Sequence, residues 1–218
     1  DLFILSKGHS MEAYYAVLCA KGFLDLDDVK KRFSKFGSPY IGHPHNTLPG
    51  IEMNSGSLGH GLPVAVGMAL ACKKDRKNSR VYVVTGDGEM DEGSNWEGFM
   101  SGAMFGLDNL CCIIDRNRLQ ISGNTEDVMA LDDLKNKVAA FNWNVIVVED
   151  GNDMDQVDAA FEQAKTIKGK PTCIIANTIK GKGSSVMENK AAWHHKLPSA
   201  EELKQIYKDL ETKMEELL

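Results

Sequence analysis

"VYVVTGDGEMDEG", residues 81–93, carries the sharpest signal in the chain. A run of β-favouring residues leads straight into Gly-Asp-Gly, and Glu89, Asp91 and Glu92 follow within five positions. Such a run reads as a buried strand, which places Asp87 at its carboxyl end. Ligands of open α/β sheets collect outside that end. Two nucleotide motifs are excluded at once: a dinucleotide fingerprint needs a third glycine where Asp91 stands, and no G-x-x-x-x-G-K-[ST] occurs in the chain. The plain alternative is a turn in which Asp87 caps the following helix, since Asp and Gly are common turn residues.

Outward from this stretch, strand-like and helix-like runs alternate. "FILS" (3–6), "RVYVVTG" (80–86), "LCCIIDRN" (110–117), "NVIVVED" (144–150) and "TCIIANTI" (172–179) read as strands. Helices are expected over 11–22, 27–37, 63–74, 95–106, 133–142 and 154–168, and a last one from Ser199, where Ser199 and Glu202 form a capping box. The fold class is therefore α/β: a parallel sheet of about five strands with helices on both faces. The small residues of 63–74 predict a helix packed closely all round, and the stripe at 203, 206, 207, 210, 214 and 217 predicts core packing. Segments 37–63 and 180–196 are long loops, which in a compact domain carry function or are disordered.

Composition narrows the function. A net charge of −6, with no Lys/Arg run longer than three, speaks against a nucleic-acid or anionic-membrane partner. No apolar stretch is long enough to span a membrane. The odd number of cysteines (Cys19, Cys72, Cys111, Cys112, Cys173), in mostly apolar contexts, reads as reduced core residues of a cytoplasmic protein. Residues 1–218 read as a single domain that begins abruptly in a strand, without an initiator Met, and so as a fragment or trimmed product lacking an N-terminal segment.

The strand after Asp87 ends in "DRNRLQISG" (115–123), which brings Asn117 and the Leu119 backbone to the same sheet edge. A carboxylate, an amide oxygen and a main-chain carbonyl are hard donors that suit Mg²⁺, or Ca²⁺, when phosphates and water complete the shell. A single protein carboxylate suffices if the metal arrives with a diphosphate. Gly88 would let the backbone N–H approach that diphosphate without a Cβ in the way.

"GDG", then 28 residues, then "N" resembles the thiamine diphosphate fingerprint. "LSKGH" (5–9), "GHP" (42–44), "SGSLGHGLPVAVGMALA" (55–71), "GDGEMDEGSNWE" (86–97) and "KGKGSSVMENKAAWHHK" (180–196) resemble the transketolase family in the same order, and within it the separate N-terminal subunit of split transketolases. The resemblance covers essentially the whole chain and implies the thiamine-diphosphate-binding fold. It implies that Asp87, Asn117 and the Leu119 carbonyl hold the metal, and that Gly88, His9 and His194 contact the diphosphate. Gly56 and Leu58 would meet the aminopyrimidine through their backbones, and His43 the donor sugar's C1 hydroxyl. Glu92 matches a glutamate at the family's subunit interface, linked to the cofactor sites. The resemblance also implies a partner: a separate C-terminal subunit with the pyrimidine-binding domain and its glutamate, in an α₂β₂ assembly acting on sugar phosphates.

All six histidines fall in or beside the Gly-rich loops, where imidazoles can move protons near neutral pH. His45 and His60 read as supporting or exposed side chains, and His195 competes with His194. Glu89 and Asp91 read as acids favoured at a helix start by its dipole. "KGKG" reads as a mobile loop over the cofactor or, with equal weight, as a solvated turn. Other readings are a related split ketolase for modified sugars, half of a deoxyxylulose-phosphate-synthase-like enzyme, and a non-catalytic cofactor-binding module.

Overall fold

The structure is a computed structural model that describes residues 1–217, with side chains through Glu215. Five strands form one sheet: β1 (Leu2–Leu5), β2 (Val81–Gly86), β3 (Leu110–Arg116), β6 (Asn144–Val148) and β7 (Thr172–Asn177), in the order β1-β2-β3-β7-β6. Every pair is parallel. The expected α/β architecture is observed. Alternate strand residues feed different cores. Ile4, Val81, Val83, Cys112, Ile114 and Ile175 pack under α3 (Gly61–Lys74), α4 (Gly93–Met104) and α6 (Leu134–Ala140). On the opposite face, Leu5 packs with α1 (Met11–Ala20), while Cys111, Ile146 and Ile174 pack with α7 (Met154–Thr166). Burial on both faces explains why the strands read as continuous apolar runs.

Local signals set several helix ends. Asp153 caps α7 by accepting from Asp155 N at 2.9 Å, and Asp25 caps α2 (Leu26–Arg32) through Asp28 N at 2.7 Å. The Ser199/Glu202 box opens α8 (Ala200–Leu217), with bonds of 2.8 and 3.2 Å. A hairpin of β4 (Leu119–Gln120) and β5 (Gly123–Asn124) follows β3, and α5 (Thr125–Val128) is one short turn that periodicity did not reveal.

Three expectations are corrected. Helix α2 stops at Arg32 rather than reaching residue 37, because Ser34 turns left-handed (φ 53°) and its N–H bonds to the Tyr40 carbonyl at 2.8 Å. Helix α3 is buried on one side only: Leu62, Ala65, Val66 and Ala69 face the sheet, while Val64 and Gly67 are exposed. In α8, among the described residues of the apolar stripe, only Ile206 is buried; Leu203, Tyr207, Leu210 and Met214 are 40–62% exposed. The Leu217 side chain lies outside the described residues. The five cysteines are unpaired, four of them buried. Among the described residues no helix is long and apolar enough to cross a membrane.

Candidate functional site

Parallel pairing aligns Gly86 of β2 with Asp115 of β3 and Arg116 with Asn177 of β7, so three strand ends open at one edge. A cavity of about 790 Å³ lies there. Its wall includes His9, Gly56, Leu58, Asp87, Gly88, Asn117, Leu119 and His194. Eight residues expected from five separate sequence blocks therefore converge on one cavity.

Asp87 is almost fully buried. Its Oδ1 accepts from Gly88 N at 2.8 Å, and its Oδ2 accepts from Arg118 N at 2.6 Å and Arg116 Nη1 at 3.1 Å. Burial lifts its carboxyl above the ordinary range, while the Arg118 amide and the Arg116 guanidinium pull the other way. Arg116 is itself anchored on Thr125 Oγ1 at 2.8 Å and Glu126 Oε1 at 2.6 Å. The local cap expected for Asp87 exists, but it is one bond of three.

Asn117 is oriented from both ends of its amide. Its Nδ2 donates to Asp115 Oδ2 at 3.3 Å, and its Oδ1 accepts from Leu119 N at 3.0 Å. Asp115 takes further bonds from the Lys7 ammonium and the Thr178 hydroxyl. Burial alone would raise Asp115, yet Lys7 and these donors hold its carboxyl below the ordinary carboxylate range.

Opposite these oxygens the wall is basic. The His9 and His194 rings stack with centroids 5.1 Å apart. Burial, then His194, Lys7, Lys180 and His43, push the His9 imidazole down to about 4; its ring still meets solvent at the cavity rim. Burial and Lys180 lower His194 as well. Lys180 is half-buried, with its ammonium lowered by burial and by Lys7, and makes no salt bridge among the described residues. Buried His194 Nδ1 and Gln120 Oε1 have no hydrogen-bond partner. A bound anion would relieve the desolvated Lys180 and the orphaned His194 ring nitrogen, while the orphaned Gln120 oxygen, an acceptor, calls for a donor or a cation. Gly88 adds a cradle, since a Cβ there would sit 3.0 Å from Gln120 Cβ. At Gly56 (φ 145°) a Cβ would come within 3.0 Å of the His43 ring.

These features fit a diphosphate with its metal. Among the described residues there is no cluster of three His, Cys, Asp or Glu that could hold a metal by itself. One carboxylate and one amide oxygen match a metal that shares its shell with phosphate oxygens.

The other expected residues fall differently. His43 is exposed and borders the cavity through its contact with Gly56. Glu92 does not line the cavity; it is exposed, with its side chain against Gly59. Of the competing pair, His194 stacks on His9 while His195 stands exposed in the wall beside it. His45 bonds Thr47 at 2.8 Å and His60 bonds the Leu58 carbonyl at 3.1 Å; neither lines the cavity. The "KGKG" loop is not a solvated turn: Gly183 and Ser184 are buried, and Asn189 N closes the loop onto the Lys180 carbonyl at 2.9 Å.

Sequence reasoning missed Lys7, Arg116 and Lys180, although all three lie inside the motifs quoted above. Glu89 is corrected outright. It is 2% exposed and bonds Ser6, Gly59 and Gly86, so it is a buried tie rather than an acid merely favoured by a helix dipole.

Comparison with known proteins places this geometry. The family model of the transketolase thiamine diphosphate binding domain matches residues 1–216. Among curated proteins, an apulose-4-phosphate transketolase subunit from Phocaeicola vulgatus is 46% identical over all of this chain and 76% of its own length. The 6-deoxy-6-sulfo-D-fructose transketolase subunit SqwG of a Clostridium species is 41% identical over 89% of this chain and 70% of its own. Human transketolase is 39% identical over 98% of this chain, which spans only 34% of that longer protein. Among solved structures, the Pichia stipitis transketolase complex with sedoheptulose 7-phosphate superposes with a TM-score of 0.91 at 32% identity, over 96% of this chain and 32% of that one. The chain belongs to the transketolase family, to its thiamine diphosphate binding domain.

Proposed function

We propose that this chain is the N-terminal subunit of a two-subunit transketolase, transferring a two-carbon ketol unit from a ketose phosphate to an aldose phosphate. The observation that carries this reading is the single cavity in which Asp87, Gly88 and Asn117 face the basic wall of His9, Lys180 and His194. Asp87, Asn117 and the Leu119 carbonyl hold Mg²⁺, or Ca²⁺ in its place. Gly88 N, His9, His194 and Lys180 take the diphosphate, and the backbones of Gly56 and Leu58 meet the pyrimidine. When bound, thiamine diphosphate supplies a carbon nucleophile and an electron sink for breaking the bond beside a ketose carbonyl. The chain's own part is to orient that group, neutralise its charge and present imidazoles to the sugar hydroxyls.

The partner is a C-terminal subunit carrying the pyrimidine-binding domain and its glutamate, in an α₂β₂ assembly in the cytoplasm. Support comes from the relatives whose names make them transketolase subunits, and from the exposed Val64, Met100, Met104 and Phe105 on or just beyond α3 and α4. Glu92 belongs to this subunit face. Relatives favour a second substrate reading, a modified ketose bearing a phosphate or a sulfonate, since their names specify apulose 4-phosphate and 6-deoxy-6-sulfo-D-fructose. Assaying the assembled pair with xylulose 5-phosphate against such modified ketoses separates the two; turnover of neither class would reject ketol transfer.

His43→Ala provides a residue-level test. Cofactor affinity should stay near the unmodified value, because His43 lies beside Gly56 and outside the cavity wall that holds Asp87. Turnover of the assembled enzyme should fall about 10- to 100-fold, the worth of a hydrogen bond of about 1.5–3 kcal/mol to a group gaining charge. A collapse of cofactor affinity with normal turnover of the remaining holoenzyme would assign His43 to the cofactor instead.

A further inference from the structure

Glu89 is the buried acid that the cofactor roles above leave unused. Its Oε1 accepts from the Ser6 hydroxyl and from Gly59 N at 2.9 Å, and its Oε2 accepts from Gly86 N at 3.0 Å. The Ser6 hydroxyl also accepts from Gly61 N at 3.1 Å, and the Glu89 carbonyl accepts from Asn95 Nδ2 at 2.7 Å. No basic side chain forms a salt bridge with it among the described residues. A buried carboxylate without a cation is costly unless its oxygens are satisfied, and here the donors come from three separate segments. They are the end of β1, the end of β2 and the loop that carries Gly56 and Leu58. Gly59 has φ 82° and no room for a Cβ, which would meet Ser94 Oγ at 2.5 Å, so the loop cannot shift in this direction without breaking contacts.

We infer that Glu89 is a positioning residue that clamps the 56–59 loop to the Gly-Asp-Gly turn, fixing the separation between the wall that takes the cofactor's ring and the wall that takes its diphosphate. This rests on the thiamine diphosphate reading of the cavity. Both walls must hold their spacing for one ligand to touch both, and a hydrogen-bonded side chain on rigid elements does this better than a free loop. A glutamine cannot replace the carboxylate, since its NH₂ would face a donor at Gly86 or at Gly59.

Calorimetry on the unmodified chain, Glu89→Gln and Ser6→Ala, with Mg²⁺, compares thiamine diphosphate with inorganic pyrophosphate, which needs only the diphosphate wall. Glu89→Gln should weaken thiamine diphosphate roughly 10- to 100-fold, the effect of an unpaired buried donor, while pyrophosphate stays within about twofold. Equal losses for both ligands, or no loss for either, would overturn the clamp. If Glu89→Gln does not fold, Ser6→Ala retains the carboxylate but removes one donor, and should show the same split at smaller size; the absence of a split overturns the inference. Failure of the unmodified chain to bind thiamine diphosphate would instead overturn the cofactor reading, a separate result.

Discussion

Asp87→Ala is expected to abolish metal-dependent binding of thiamine diphosphate, with no heat detectable by calorimetry at cofactor concentrations that saturate the unmodified chain. The change removes the sole carboxylate of the proposed metal set. It also takes from the buried Arg116 guanidinium one of its two carboxylate partners, Asp87 at 3.1 Å, leaving Glu126 at 2.6 Å. Stranding a buried charge altogether costs about 3–5 kcal/mol; Glu126 still pairs with Arg116, so the melting temperature should fall by less than that full cost implies. Asp87→Asn separates the two effects. It keeps the shape of the side chain and one oxygen for Arg116, so it should recover much of the stability while binding stays weak. Unchanged affinity in Asp87→Ala with Mg²⁺ present would rule out the metal assignment.

The second large effect concerns the partner. Expressed alone, the chain should fold, since both faces of its sheet are covered by α1 and α7 on one side and α3, α4 and α6 on the other. It should show no ketol transfer from xylulose 5-phosphate to ribose 5-phosphate, even with Mg²⁺ and thiamine diphosphate in excess. The family resemblance assigns the glutamate that acts on the pyrimidine to the partner domain. The two buried acids of this cavity cannot take its place: Asp87 is held by Arg116 and Arg118 N, and Glu89 by Ser6, Gly59 and Gly86. Loss of a positioned acid–base group costs about 10²–10⁴-fold by itself. Without the partner the ring end of the cavity would also stay wet, losing apolar burial worth about 25 cal/mol per Å². Titrating the pyrimidine-domain subunit into this chain, with aldose product as the readout, should restore turnover to a plateau at equal stoichiometry. Restoration should fail when that subunit's glutamate is changed to Gln. Substantial turnover by the chain alone would reject the half-site reading.

Much of this site was legible in the residues because its parts are backbone-dictated. Gly88 and Gly56 stand where a Cβ would crowd Gln120 or His43, and Asp87 and Asn117 stand at strand ends that a parallel sheet must align. Such requirements act locally and leave their mark as short motifs. Lys7, Lys180 and Arg116 left no such mark. Lysine and arginine are common surface residues, and only the fold carries Lys7 at the end of β1 to Asp115, 108 residues away. The apolar stripe of α8 misled for a related reason. Periodicity reports that a helix has an apolar face but not what covers it, and among the described residues only Ile206 of that stripe is buried.

The sequence by itself determined the parallel α/β sheet and the strand ends at which Asp87 and Asn117 stand. Strand burial and tight turns constrain residue type position by position, so they can be read along the chain. Tertiary structure alone decided that Arg116 sits on Asp87, that His194 rather than His195 stacks on His9, and that Glu89 joins three segments. Those are contacts between residues distant in the chain, and their energies depend on burial and distance, neither of which a linear pattern encodes.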